Sequence, residues 1–178
     1  VDDGAGNASD VTRDFTIALD GKSGEPPLLT VLGGKLTTYR RLAEAVLEKL
    51  EKYFAMQPGW TANEPLPGGD LYERGVAGLI ADIRERHAYI DEPLARRLAF
   101  SHGSRAWKII GETKNEADLG PRLAGNLHRI ELDYLRGEEW AKTADDILWR
   151  RTKLGLVTTP AEVGALKKAL ESPIALAS

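Results

Sequence analysis

The run Val31-Leu32-Gly33-Gly34-Lys35-Leu36-Thr37-Thr38 carries the clearest chemical signal in the chain. An apolar stretch meets two glycines and a lysine, then passes directly into a helical pattern. A strand that ends in glycines and enters a helix presents unpaired backbone N–H groups and the positive end of a helix dipole. Together these hold an anion, and Lys35 adds a point charge. The same residues also fit a plain tight turn, because glycine-rich strand-to-helix turns are common; the pattern alone leaves both readings open. Two nucleotide motifs fail. A P-loop needs a glycine five residues ahead of its Gly-Lys pair and Ser or Thr after the lysine, where this chain has Leu29 and Leu36. Gly4 to Ser9 holds two glycines of a dinucleotide fingerprint, but no strand precedes it and no helix follows.

Arg13 is the second cation of interest. Val11, Arg13, Phe15, Ile17 and Leu19 alternate with Thr12, Asp14, Thr16 and Ala18, which predicts a strand. An arginine in register with Phe15 and Ile17 wants an anionic partner or an exposed sheet edge. A hairpin that brought Arg13 near Lys35 would join the two cations into one phosphate site. His87, His102 and His128 fall on separate predicted helices without ligand spacing, so no metal site is expected. Asp145 and Asp146 stand in the first turn of a predicted helix, where capping and dipole use outweigh acid–base work. Trp149 to Lys153 reads as a basic helix end. Trp107, Trp140 and Trp149 are expected to anchor a helical core. No catalytic residue emerges.

The elements that position these residues follow from local patterns. Asp20 to Pro27 is dense in turn residues, and Leu28 to Gly34 reads as a short buried strand. Leu36, Tyr39, Leu42, Ala43, Val46, Leu47 and Leu50 recur at helical spacing, with Thr37 or Thr38 placed to cap. The pattern ends near Met56. Thr61 to Asp70, with Pro65, Pro67, Gly68 and Gly69, reads as a linker. Beyond it the sequence predicts five or six short helices and no strand, with caps at Asp91, Thr143 and Thr159. The expected fold is mostly α: a small β-hairpin plus helix over 1–60, a linker over 61–70, and an all-α helical domain over 71–178.

Composition narrows the functional classes. With 42% hydrophobic and 29% charged residues the 178-residue chain is globular. A net charge of -3 gives no footprint for nucleic acid. The absence of cysteine excludes disulfides, thiolate metal sites and a cysteine nucleophile. No apolar run approaches the ~20 residues that span a bilayer. Val1 is not methionine, and no signal peptide is expected in the loop-like, acidic start. Both a piece of a larger protein and a processed N-terminus fit that start.

The runs "TRDF", "GGKLTTYRRLAE", "LPGGD" and "EEWAKTADDILWRRTKLGL", in that order, resemble the C-terminal part of the FAD-dependent, respiratory glycerol-3-phosphate dehydrogenases. The resemblance covers nearly the whole chain, and "GGKLTTYR" and "ADDILWRRTK" are its specific motifs. It implies a last piece of a flavin domain in front of a helical cap domain. It implies substrate-phosphate contacts from Arg13 and Lys35, and a flavin-packing segment of Gly33, Gly34, Lys35, Leu36, Thr37 and Thr38. A helix N-terminus there suits the negative charge near N1 and the C2 carbonyl of reduced flavin. The implied reaction oxidises sn-glycerol 3-phosphate to dihydroxyacetone phosphate, with electrons passed to membrane quinone. The implied setting is cytoplasmic and peripheral at the inner membrane, as a homodimer. The flavin fingerprint of the family is missing from this chain, so FAD is expected in the full-length enzyme and not on this piece, which is expected to be inactive alone. Two other readings stand beside this one: a helical module for dimer or membrane-surface contacts, and a stand-alone phosphate-binding regulator.

Overall fold

The computed structural model describes residues 14–22, 24–71 and 73–174. The chain divides into two compact units, Val1–Glu64 and Pro65–Ser178.

In the first unit, β1 (Phe15–Asp20) pairs antiparallel with β2 (Leu28–Gly33), with Phe15 opposite Gly33 and Asp20 opposite Leu28. Exposure alternates along β1, so Phe15, Ile17 and Leu19 share the half-covered face. The polypeptide then makes a 3-10 turn, Leu36–Thr38, and continues into α1 (Tyr39–Leu50). The predicted cap is corrected in detail: the Thr38 hydroxyl accepts from the Lys35 N–H at 3.1 Å and donates to the Lys35 carbonyl at 3.0 Å. Neither threonine caps α1 through its side chain. The buried strand expected over 28–34 is also corrected, since Leu28 is 65% and Leu32 49% exposed. On the predicted apolar face of α1, Leu36 and Tyr39 are exposed, and Leu42, Val46 and Leu50 are only half-buried. No described residue of this unit is buried.

The second unit has a true core. α2 (Gly75–Arg86), α3 (Glu92–His102), α4 (Ala106–Ile110), α5 (Arg129–Glu138) and α6 (Pro160–Glu171) surround Ile83, Leu98, Ile110, Leu127, Leu132, Leu135, Ile147 and Leu166. The caps form where the sequence placed them. Asp91 accepts the Leu94 N–H at 2.8 Å, and Thr159 and Glu162 form a reciprocal box. Asp146 accepts the N–H groups of Lys142 and Thr143, and these bonds hold its carboxyl down at about 2.

Three expectations for this unit are overturned. The sequence predicts no strand beyond the linker; instead β3 (Arg122–Ala124) and β4 (Leu127–His128) form a hairpin before α5. Gly125, at φ +54, opens its Gly-Asn turn. Asp146–Arg151 is a π-helix rather than an α-helix. Of the three tryptophans expected in the core, only Trp107 packs against it; Trp140 is 81% and Trp149 45% exposed. Trp140 follows the end of α5 with φ +58. The Pro65–Asp70 segment lies along the α3–α4 turn, where the Ser104 N–H donates to the Gly68 carbonyl at 3.0 Å and the Ser104 hydroxyl donates to Asp70.

Candidate functional site

The Gly33–Thr38 turn is built by backbone conformation. Gly33 and Gly34 have φ of +76 and +103, a region that side-chain-bearing residues avoid. Among the described residues space is not the constraint at Gly34, where an added Cβ would meet Leu42 and Phe15 at ordinary contact distances of 3.7 and 3.8 Å. The two glycines turn the end of β2 so that Lys35 enters the 3-10 turn with extended geometry, φ -118 and ψ 154. Thr38 occupies the Lys35 N–H and its own N–H bonds the Lys35 carbonyl. Among the described residues, the N–H groups of Leu36 and Thr37 have no acceptor. Two free donors beside an exposed lysine make a turn that can receive an anionic group. Leu36, 90% exposed, offers an apolar contact next to them. Thus Gly33, Gly34, Lys35, Leu36, Thr37 and Thr38 form one continuous structure. Arg13 lies outside the described residues. Further along α1, Glu44 joins Arg40 at 2.8 Å and the Thr61 hydroxyl at 2.5 Å, and the Thr61 bond above all holds its carboxyl below the usual range.

The helical unit contains a charged cluster that sequence reasoning missed. Arg97 on α3 donates to both oxygens of Glu131 on α5, at 2.6 and 2.5 Å, and also to the Asn126 side chain and carbonyl. His102 Nε2 stands 3.0 Å from the same Glu131, which is 1% exposed. Burial alone would raise the Glu131 carboxyl, but the Arg97 bonds and charge, then His102, outweigh it and hold it at about 2. Nearby, Asp133 is buried and accepts from Arg129 Nε at 2.8 Å. The available signal was Glu131 and Asp133 set among Ile130, Leu132, Tyr134 and Leu135, where a carboxylate drawn into the interior needs a cationic partner. A cavity of about 780 Å³ in this unit is lined by Tyr89, Glu116, Arg122 and His128 among others, and by none of the predicted site residues.

Comparison with known proteins bears on both units. The family described as the C-terminal domain of alpha-glycerophosphate oxidase matches residues 59–172. The chain belongs to this family. Its matched region takes in the helical unit, with every helix from α2 to α6. The chain is also 47% identical over 172 residues to a glycerol-3-phosphate dehydrogenase of Pseudomonas aeruginosa, covering 96% of this chain and 33% of that protein. It is 42% identical over 156 residues to the aerobic glycerol-3-phosphate dehydrogenase of Escherichia coli K12, covering 87% and 31%. It is 40% identical over 165 residues to a D-erythritol 1-phosphate dehydrogenase of Brucella abortus, covering 92% and 33%. The chain thus spans about a third of the length of these curated relatives. A match over 96% of the chain extends the likeness beyond the family region and into the hairpin unit. Among the described residues, no helix is long and apolar enough to cross a membrane.

Proposed function

We propose that this chain is the C-terminal part of an FAD-dependent glycerol-3-phosphate dehydrogenase that oxidises sn-glycerol 3-phosphate to dihydroxyacetone phosphate and passes the electrons to quinone. The Gly33-Gly34-Lys35 turn, with two unpartnered N–H groups and an adjacent cation, is the observation that carries the reading. The names of the relatives give it a substrate class: glycerol 3-phosphate and D-erythritol 1-phosphate are both polyol phosphates.

In this reading residues 1–60 complete the flavin and substrate domain, 61–70 connect, and 71–178 form the cap. The Leu36 and Thr37 N–H groups would hold the flavin as donors to its anionic form, and the glycines would allow the backbone a close approach. Bound flavin supplies the acceptor for the hydride that leaves C2 of the substrate. Lys35 and Arg13 fix the substrate phosphate and so orient C2. The hydroxyl proton must pass to a base in the assembled site. The partner that completes the site is the flavin domain of the same polypeptide, and the assembled enzyme is a homodimer held at the cytoplasmic face of the inner membrane.

The test is glycerol 3-phosphate-dependent reduction of a quinone analogue by the longer polypeptide, beside the 178-residue chain alone. The reading expects a flavin spectrum and turnover from the former. It expects neither flavin absorbance nor heat on adding glycerol 3-phosphate from the latter. Stoichiometric flavin on the short chain would overturn the division of labour, and absence of turnover in the flavin-loaded long chain would overturn the activity.

A further inference from the structure

The buried imidazole of His102 is wired to two carboxylates, and only one of the two contacts is complete. Its side chain is 2% exposed. Glu131 is ionised and accepts, so Nε2 must carry the proton of their 3.0 Å contact. Nδ1 is buried and has no hydrogen-bond partner. It faces the Glu139 carboxylate, whose Oε1 is 3.5 Å away. With Nδ1 unprotonated, a lone pair confronts an anion. With Nδ1 protonated, the same geometry becomes a charge-assisted contact. Glu139 closes α5 and directly precedes Trp140, whose φ of +58 and 81% exposure mark a turn held in a costly backbone state.

We propose that His102 is a proton-operated clasp: taking up a second proton at Nδ1, it ties buried Glu131 to Glu139 and fixes the turn that carries Trp140. The surrounding charges permit both states. On α3, Arg97 neutralises Glu131. On α5, the Tyr134 ring packs edge-on against the imidazole at 5.4 Å, and its hydroxyl accepts from Arg105 at 3.2 Å. Glu138 is occupied by Lys108 and Arg105. From the π-helix, Arg151 stands 3.5 Å from Glu139 Oε2 and donates to the Glu139 carbonyl. When His102 is neutral, Arg151 remains as the partner of Glu139; when it is charged, Glu139 bridges the two cations. The clasp therefore closes on acidification and opens as pH rises.

The experiment is a pH titration of the 178-residue chain followed by NMR of the histidine ring nitrogens, with His87 and His128 as internal references. Amide-exchange protection factors at Glu139 and Ala141, whose N–H groups both donate to the Leu135 carbonyl, are read over the same range. The expected result is protonation of His102 Nδ1 on acidification, with protection at Ala141, whose N–H donates to the Leu135 carbonyl at 3.0 Å across the Trp140 turn, rising about five-fold, the size of one charge-assisted contact partly open to water. Glu139→Gln should remove that rise and leave the Glu131 contact intact. His102→Gln keeps a donor toward Glu131 and should give protection independent of pH. An imidazole that stays in one neutral tautomer throughout, or an unchanged pH response in Glu139→Gln, would overturn the clasp. The wild-type titration decides the matter even where a variant folds poorly.

Discussion

Residues 14–64 hold Leu28, Leu32, Leu36, Phe54 and Trp60 between 49% and 90% exposed, and bury none of their described residues. Residues 65–174 enclose more than a dozen apolar side chains and seal three charged or polar ones, His102, Glu131 and Asp133, among them. The two units share a chain and a similar apolar content in their helices, yet only the second satisfies itself. Burial at about 25 cal/mol per Å² drives folding only where apolar surface actually leaves water. The hairpin unit leaves that term largely unrealised, and exposed apolar faces of this kind mark contact surfaces. Under the proposed function the missing flavin domain covers them, which is why the candidate site lies on the poorly packed unit and the stable core lies elsewhere.

The largest consequence is kinetic. In the 178-residue chain, amides of α5 should exchange at least ~10³-fold more slowly than those of β1 and β2, since core amides report global opening and an unburied hairpin opens locally. Comparable protection in the two units would break the contrast. Next, Glu131→Gln leaves Arg97 with an uncompensated charge in the interior and should cost about 3–5 kcal/mol, read as a lower melting temperature of the helical unit with the hairpin signals unmoved. The same residue sets an acid limit. Its carboxyl lies at about 2 in the fold against 4.5 ordinarily, so its stabilisation is complete above about pH 4.5 and is lost as pH falls toward about 2. Acid melts of Glu131→Gln should lack that component.

A smaller effect sharpens the comparison at the unit boundary. Gly103 has φ +57, and a Cβ there would collide with the carbonyl oxygen of Gly68. Gly103→Ala should destabilise the helical unit by about 2 kcal/mol through backbone strain and displacement of the Pro65–Asp70 segment. The smallest change is Thr38→Ala. It removes both bonds to Lys35 and should cost about 1 kcal/mol, confined to the turn before α1 and visible as faster exchange at Lys35.

The strands of the first hairpin, the helix after Lys35 and the caps at Asp91 and Thr159 were legible because each depends on local chemistry: alternation, periodicity, or an oxygen three residues ahead of a free N–H. The Gly33-Gly34 turn was legible for the same reason. What escaped depended on tertiary context. The Leu28–Gly34 run looked buried, but burial belongs to what packs on a strand and not to the strand. The β3–β4 hairpin escaped because the apolar spacing from Leu127 onward reads as helical and hides the Gly125-Asn126 turn. The Arg97–Glu131–His102 cluster joins residues far apart in sequence, and no spacing rule brings them together. Trp140 was placed in the core by its size, whereas the end of α5 puts it in solvent.

The central claim is that the Lys35 turn is one wall of a polyol-phosphate site in a flavin dehydrogenase. Steady-state kinetics of the full-length enzyme with Lys35→Ala, against glycerol 3-phosphate, test it most directly. The account predicts retained flavin and a KM raised about 30-fold, the loss of one charge-assisted contact to phosphate. A flavin-loaded variant with unchanged KM and kcat would remove Lys35 from the site and contradict the account.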